Sequence, residues 1–193
     1  MNDGSKGFAT GRYFLLECYG PLDRTRQAID TVPVGFSWNR GRRFDKTVPV
    51  PLEVLMDGDG EMMPMFDRGV LLWRDDLVAA IRSSGANNFD AYEAVLVDPI
   101  ANRRHANYKA INILGLVRAA DMQKSQFWSP SGGTAVDVMF DELVLDESKA
   151  RDLLLFRMAE SRNGIVVHER VKRAVEEADI PDIDFVEPNA WGG

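Results

Sequence analysis

The sequence predicts an α+β fold, a mostly antiparallel sheet covered by short helices. Three observations carry that reading. Two stretches, 69–93 and 164–187, read as the same strand–helix–strand unit. Their helical parts are short and lie between apolar runs of strand length. The remaining apolar runs are set apart by turn signals such as Gly20-Pro21, Asp57-Gly58-Asp59-Gly60 and Ser129-Pro130-Ser131-Gly132-Gly133. Within the repeated unit, Leu77, Ile81 and Phe89 precede Val171, Val175 and Ile183 by the same 94 positions, whereas Gly69 and Gly164 are 95 apart. The second copy therefore lacks one residue at the strand–helix corner. Neither copy holds a catalytic set, so the unit reads as scaffold. Two copies are too few for a solenoid, which needs at least three stacking repeats.

Taken in order, residues 1–11 are small and polar and are expected to fray. Tyr13 to Tyr19 is the first strand, closed by Gly20-Pro21. Residues 20–51 read as loop and edge, with Pro33, Pro49, Pro51 and a basic Arg40-Gly41-Arg42-Arg43 turn. Val48 to Met56 is a strand interrupted by its prolines. In the first unit, Asp75 or Asp76 caps the helix. Leu77, Ala80, Ile81 and Ser84 share one helical face, and Gly85 ends it in the left-handed conformation. Asp90 to Asp98 follows as a strand with Tyr92, Ala94 and Leu96 on one face. Residues 99–106 read as a polar loop, and Tyr108 to Val117 as a strand. Val136 to Leu145 is a further strand, then a short helical piece at 146–152 and a strand from Leu153 to Met158. In the second unit, Val167, Val171, Ala174, Val175 and Ala178 form the apolar stripe. The chain thus divides into an N-terminal strand and irregular extension, 1–59, packed on an α+β domain, 60–193.

Composition narrows the function classes. The apolar fraction of 45% and charged fraction of 27% are those of an ordinary globular protein. A net charge of −7 disfavours nucleic acid or an anionic membrane as the main partner, because both demand a basic surface. The charge is uneven: residues 1–46 sum to +3 and residues 137–187 to −7. An acidic C-terminal third steers basic partners, although a solvated surface is the plainer reading. The single Cys18 sits in an apolar run and allows no intrachain disulfide, which favours a reducing compartment. No apolar run approaches membrane-spanning length, and the N-terminus lacks the apolar core of a signal peptide, so a cytoplasmic location is expected.

No catalytic or metal constellation emerges. His105 and His168 are far apart in sequence and neither is spaced with Cys18 as a zinc site requires. Asp57-Gly58-Asp59-Gly60-Glu61 resembles the start of a cation loop, but Met62, Met63 and Met65 stand where further ligands are needed, so a solvated turn is expected. Asp182 and Asp184, two apart on an expected strand, share a face and read as exposed. Trp73 is expected to pack. Trp128, beside Phe127 in a loop, is either a partner anchor or a core residue.

The segments Tyr108-Lys109-Ala110-Ile111-Asn112 through Ser125, Phe140 to Lys149, Leu155-Phe156-Arg157 and Gly164 to His168 together resemble the immunity protein 11 family of bacterial polymorphic-toxin systems. The likeness covers about residues 60–187. Tyr108 and Asn112 supply the family's Tyr-x-x-x-Asn motif, and Trp191 with Gly193 its Trp-x-Gly motif; a structural role is expected for all four. The resemblance implies a non-enzymatic protein without cofactor or metal that binds and neutralises a cognate toxin encoded nearby. The candidate toxin contacts are Asp57, Asp59, Glu61, Trp128, Asp179, Asp182 and Glu187. The alternatives are a small carboxylate-dependent hydrolase and a ligand-binding regulator. Oligomeric state is left open.

Overall fold

A computed structural model describes residues 12–19, 27–29, 35–57, 60–130 and 137–193. The elements are β1 (Tyr13–Glu17), β2 (Gln27–Ile29), β3 (Leu52–Asp57), β4 (Met65–Arg68), β5 (Val70–Arg74), α1 (Asp75–Ser83), β6 (Phe89–Asp98) and β7 (Arg103–Ile113). They continue with β8 (Leu116–Val117), β9 (Gln126–Trp128), β10 (Met139–Glu142), β11 (Leu155–Met158), β12 (Ile165–His168), α2 (Glu169–Glu177) and β13 (Asp184–Val186). Single 3-10 turns occupy Glu147–Ala150 and Pro188–Ala190. No helix among the described residues is long and apolar enough to cross a membrane.

The strands form a six-stranded sheet, β2-β3-β6-β7-β5-β4, a five-stranded sheet, β13-β1-β12-β11-β8, and a two-stranded ribbon, β10-β9. Among the described residues the pairings are antiparallel except β3 with β6 and β11 with β8. This is the α+β, mostly antiparallel class that the sequence predicts. β1 and β3 are woven into it: β1 lies between β12 and β13, and β3 pairs with β6.

Both repeated stretches are strand–helix–strand, and the likeness extends to topology. In the first, β5 and β6 flank β7 and run antiparallel to it. In the second, β12 and β13 flank β1 and run antiparallel to it. Each unit is thus a strand–helix–strand crossover split by one inserted strand. Each is preceded by a strand that pairs antiparallel with its first strand, β4 with β5 and β11 with β12. The missing corner residue is explained: β5 has five residues and β12 four, and each helix starts directly afterwards.

The two helices pack in one core. Leu77, Ile81, Phe89, Val171 and Val175 bury there with Leu71 and Trp73 from one sheet and Leu16 and Val167 from the other, and Ile183 packs against them. The opposite face of the six-stranded sheet is covered by the 35–51 segment, where Trp38 and Val48 bury against Val54, Leu72 and Tyr108. Trp38, Phe36, Phe44 and Tyr92 form an edge-to-face aromatic group with Trp38 4.9 Å from Phe44 and 5.7 Å from Tyr92. The opposite face of the five-stranded sheet meets Val138, Phe140, Leu143 and Trp191. With both faces covered, β1, β11 and β12 are apolar at nearly every position. Arg157 of β11, almost fully buried, bonds Asp67 of β4 at 3.3 Å and the Arg162 carbonyl at 2.6 Å, tying the two sheets together.

Several expected boundaries move. The polar stretch 103–107 is strand, not loop. It pairs only with β6, because β5 joins β7 from Tyr108 onwards, and its exposed outer edge admits Arg103, Arg104 and His105. That strand ends at Ile113; Gly115, with φ +156, turns the chain into the other sheet. Of the strand expected over 136–145, the described residues 137–145 form strand at Met139–Glu142. Asp75 and Asp76 are not caps. Arg74 holds the cap position, and both aspartates lie in the first turn, where Asp76 Oδ1 accepts the Leu77 amide at 2.8 Å. Gly85 takes φ +94 as expected. In α2 only Val171 and Val175 are buried; Ala178 of the expected stripe is exposed.

Candidate functional site

Tyr108, Asn112 and Trp191 are buried, and each of them and Gly193 makes a hydrogen bond within the fold. Tyr108 is 1% exposed, and its hydroxyl donates to the Met63 carbonyl at 2.7 Å. Burial pushes its phenol up to about 12, so it stays protonated as a donor. Asn112 follows four residues later on the same face of β7, fully buried. Its Nδ2 donates to the Arg42 carbonyl at 3.0 Å, pinning the 35–51 segment onto the sheet. Trp191 is also buried; its Nε1 donates to Glu17 Oε1 at 2.6 Å, and its ring lies 6.3 Å from Phe140. Gly193 accepts the Phe140 amide at 2.6 Å through its carbonyl, and a Cβ there would sit 2.1 Å from the indole.

Cys18, His168, Asp75 and Asp76 serve the fold. Cys18 is half-buried, and burial raises its thiol to about 11, the opposite of an activated nucleophile. His168 caps α2: its Nδ1 accepts the Arg170 amide at 3.1 Å, and its ring stands edge-on to Tyr13 at 5.1 Å. Burial lowers its pKa and keeps the ring neutral, as the capping bond requires. Asp75 pairs with Lys109 at 2.8 Å and Asp76 with Arg74 at 2.7 Å. Asp182 and Asp184 do not share a strand face. β13 starts at Asp184, and Asp182 occupies the preceding turn with φ +59. Among the described residues no group of three His, Cys, Asp or Glu could hold a metal ion.

The candidate contacts are scattered. Asp57 ends β3 opposite Gln27 and is exposed, as is Glu61. Asp59 lies outside the described residues. Asp179 and Asp182 are exposed in the turn after α2, both with positive φ. Glu187 bonds Arg12 across the molecule's N-terminal strand and is half-covered.

Trp128 stands apart. It lies in β9, opposite Met139 of β10, and the pair is exposed at 51% and 45%. Directly opposite residues share a face, so this is one apolar face of the ribbon. The adjoining pair, Phe127 and Phe140, points the other way: Phe140 is buried, and Phe127 lies 6.1 Å from it. The ribbon is anchored at the back and open at the front. Met139 was not legible as a candidate, since the register that sets it against Trp128 leaves no mark in either residue alone. No family model and no curated protein matches this sequence.

Proposed function

We propose that the chain is an immunity protein, one that binds and neutralises a cognate toxin of a bacterial polymorphic-toxin system. The observation that carries a binding role is the Trp128–Met139 face of the β9–β10 ribbon. Two large apolar side chains are held in solvent by a strand pair whose reverse side is locked into the core. Aromatic residues in such settings act as anchors of protein interfaces. The toxin as partner comes from the resemblance of the segments between Tyr108 and His168. Asp179 and Asp182 are secondary contacts, placed to meet basic groups.

The test is co-expression with the secreted toxin encoded alongside, read as cell survival and as a co-purifying complex. Protection that Trp128→Ala weakens supports the reading. Failure of the native chain to protect and to form a complex sinks it.

A further inference from the structure

We infer that a cleft lined by Arg40, Arg42, Arg118 and Arg162 docks a carboxylate-bearing segment of a protein partner. The cleft encloses about 730 Å³, with Leu116 and Ala159 as its apolar lining. Its four arginines come from three distant stretches of a chain whose net charge is −7. Only folding gathers them, so the cleft is not a by-product of a basic run.

Their partners are unequal. Arg162 is committed: Nε and Nη2 bond Asp137 at 3.1 and 2.7 Å. Arg40, Arg42 and Arg118 are exposed, and no described carboxylate forms an ion pair with them. Glu160 is buried nearby: burial raises its carboxyl pKa, Arg118 opposes that rise only slightly, and its Oε2 has no hydrogen-bond partner. Like charges gathered this way repel, and an arriving anion relieves that cost.

The Arg40-Gly41-Arg42 turn is also pre-set. Gly41 has φ +66, and a Cβ there would lie 2.7 Å from the amide nitrogen of Leu116. The turn therefore rests backbone to backbone on β8. On its other side the buried Asn112 holds the Arg42 carbonyl. Both anchors grip the main chain and leave the guanidinium groups outward. The turn's backbone is fixed, and the guanidinium fork suits bidentate recognition of a planar oxyanion.

The lining favours a protein carboxylate over a nucleic-acid phosphate. No aromatic ring lines the cleft for base stacking. The cleft also adjoins the ribbon: Arg162 bonds Asp137, two residues before Met139, and the Val138 amide bonds the Glu160 carbonyl. A partner that seats an apolar group on Trp128 and Met139 has this basic cleft beside it. The choice of a protein occupant rests on the binding role proposed above; the cleft itself does not.

The experiment is fluorescence anisotropy of a labelled hexaglutamate peptide with the full chain at low salt. Saturable binding is expected, weakened about tenfold or more in Arg42→Glu/Arg118→Glu. The Arg103→Glu/Arg151→Glu variant has the same net charge and is expected to bind as the native chain does. Circular dichroism confirms that each variant is folded. The inference is overturned if no saturable binding is seen, if both variants lose it equally, or if an oligothymidylate of equal charge binds more tightly than the peptide. Measured beside it, the cognate toxin separates the two readings. Peptide binding without any toxin complex keeps the cleft and ends the immunity reading. A toxin complex indifferent to Arg42→Glu/Arg118→Glu keeps immunity and overturns the docking role.

Discussion

Replacing Trp191 by Phe isolates one buried polar contact. The indole is 3% exposed and its Nε1 donates to Glu17 Oε1 at 2.6 Å, joining the C-terminal turn to β1. Phenylalanine keeps an aromatic ring against Phe140 but removes the donor. Losing a hydrogen bond to a charged group costs about 1.5–3 kcal/mol. The smaller ring adds roughly 1 kcal/mol through imperfect filling. A loss of about 2–4 kcal/mol is expected at neutral pH, within the 5–15 kcal/mol or so of a typical domain. The pH dependence is the sharper signature. Burial raises the Glu17 pKa, and the indole bond opposes that rise. For a raised carboxyl, the favourable contribution is present below the ordinary glutamate value and is lost as pH rises through the folded value. Without the indole the folded value climbs further, so the variant suffers more in the ionised range. The difference between native and variant chains should widen between about pH 4 and about pH 7.5. Urea unfolding followed by far-ultraviolet circular dichroism measures it. A difference that stays constant over that range, or falls below about 1 kcal/mol, refutes the role given to this bond.

Further outcomes follow from other sites. Gly41→Ala places a Cβ against Leu116 at a positive φ, and should cost about 1–3 kcal/mol in urea unfolding. Trp128→Ala should leave stability within about 0.5 kcal/mol, yet weaken the proposed complex with a toxin by about 2 kcal/mol or more, read by titration calorimetry. His168→Asn keeps a capping acceptor but removes the titrating ring. The His168 pKa is lowered by burial, so its contribution is present above the unfolded value of about 6.5 and is lost as pH falls. The native melting temperature should therefore drop more steeply than the variant's from about pH 7.5 to about pH 5.5, and parallel curves count against the buried neutral ring.

The skeleton was legible because it is written in local pattern. The 94-residue offset of Leu77, Ile81 and Phe89 from Val171, Val175 and Ile183 marks residues that meet in one core. Gly85 and the 3-10 turn at Glu147–Ala150 follow from turn chemistry. What escaped reading depends on pairing at a distance. Arg103 to Asn107 looks like loop because only one neighbour strand flanks it. The face shared by Trp128 and Met139 is set by register. Asn112 reads as structural, and its side chain bonds a loop carbonyl, but nothing in the sequence says that the loop is the arginine turn. Arg118 and Arg162 carry no local signal at all; only the return of the chain brings them to Arg40 and Arg42.

The shared topology of the two units bears on where a partner can be read. Each unit takes its inserted strand from outside itself, β7 from downstream in one and β1 from upstream in the other. Their helices then close a common core whose residues are apolar in both copies. A surface confined to those units would be fixed by packing. The outer covers carry no such duty throughout. The 35–51 segment buries Trp38 and Val48 but turns Arg40 and Arg42 outward, and the ribbon buries Phe140 but turns Trp128 and Met139 outward. Each cover divides its residues between core and solvent at single-residue spacing. Exposed positions there can change without disturbing the core they sit on. The partner-matching role proposed above would use that separation, with the arginine turn and the Trp128 ribbon on the covers.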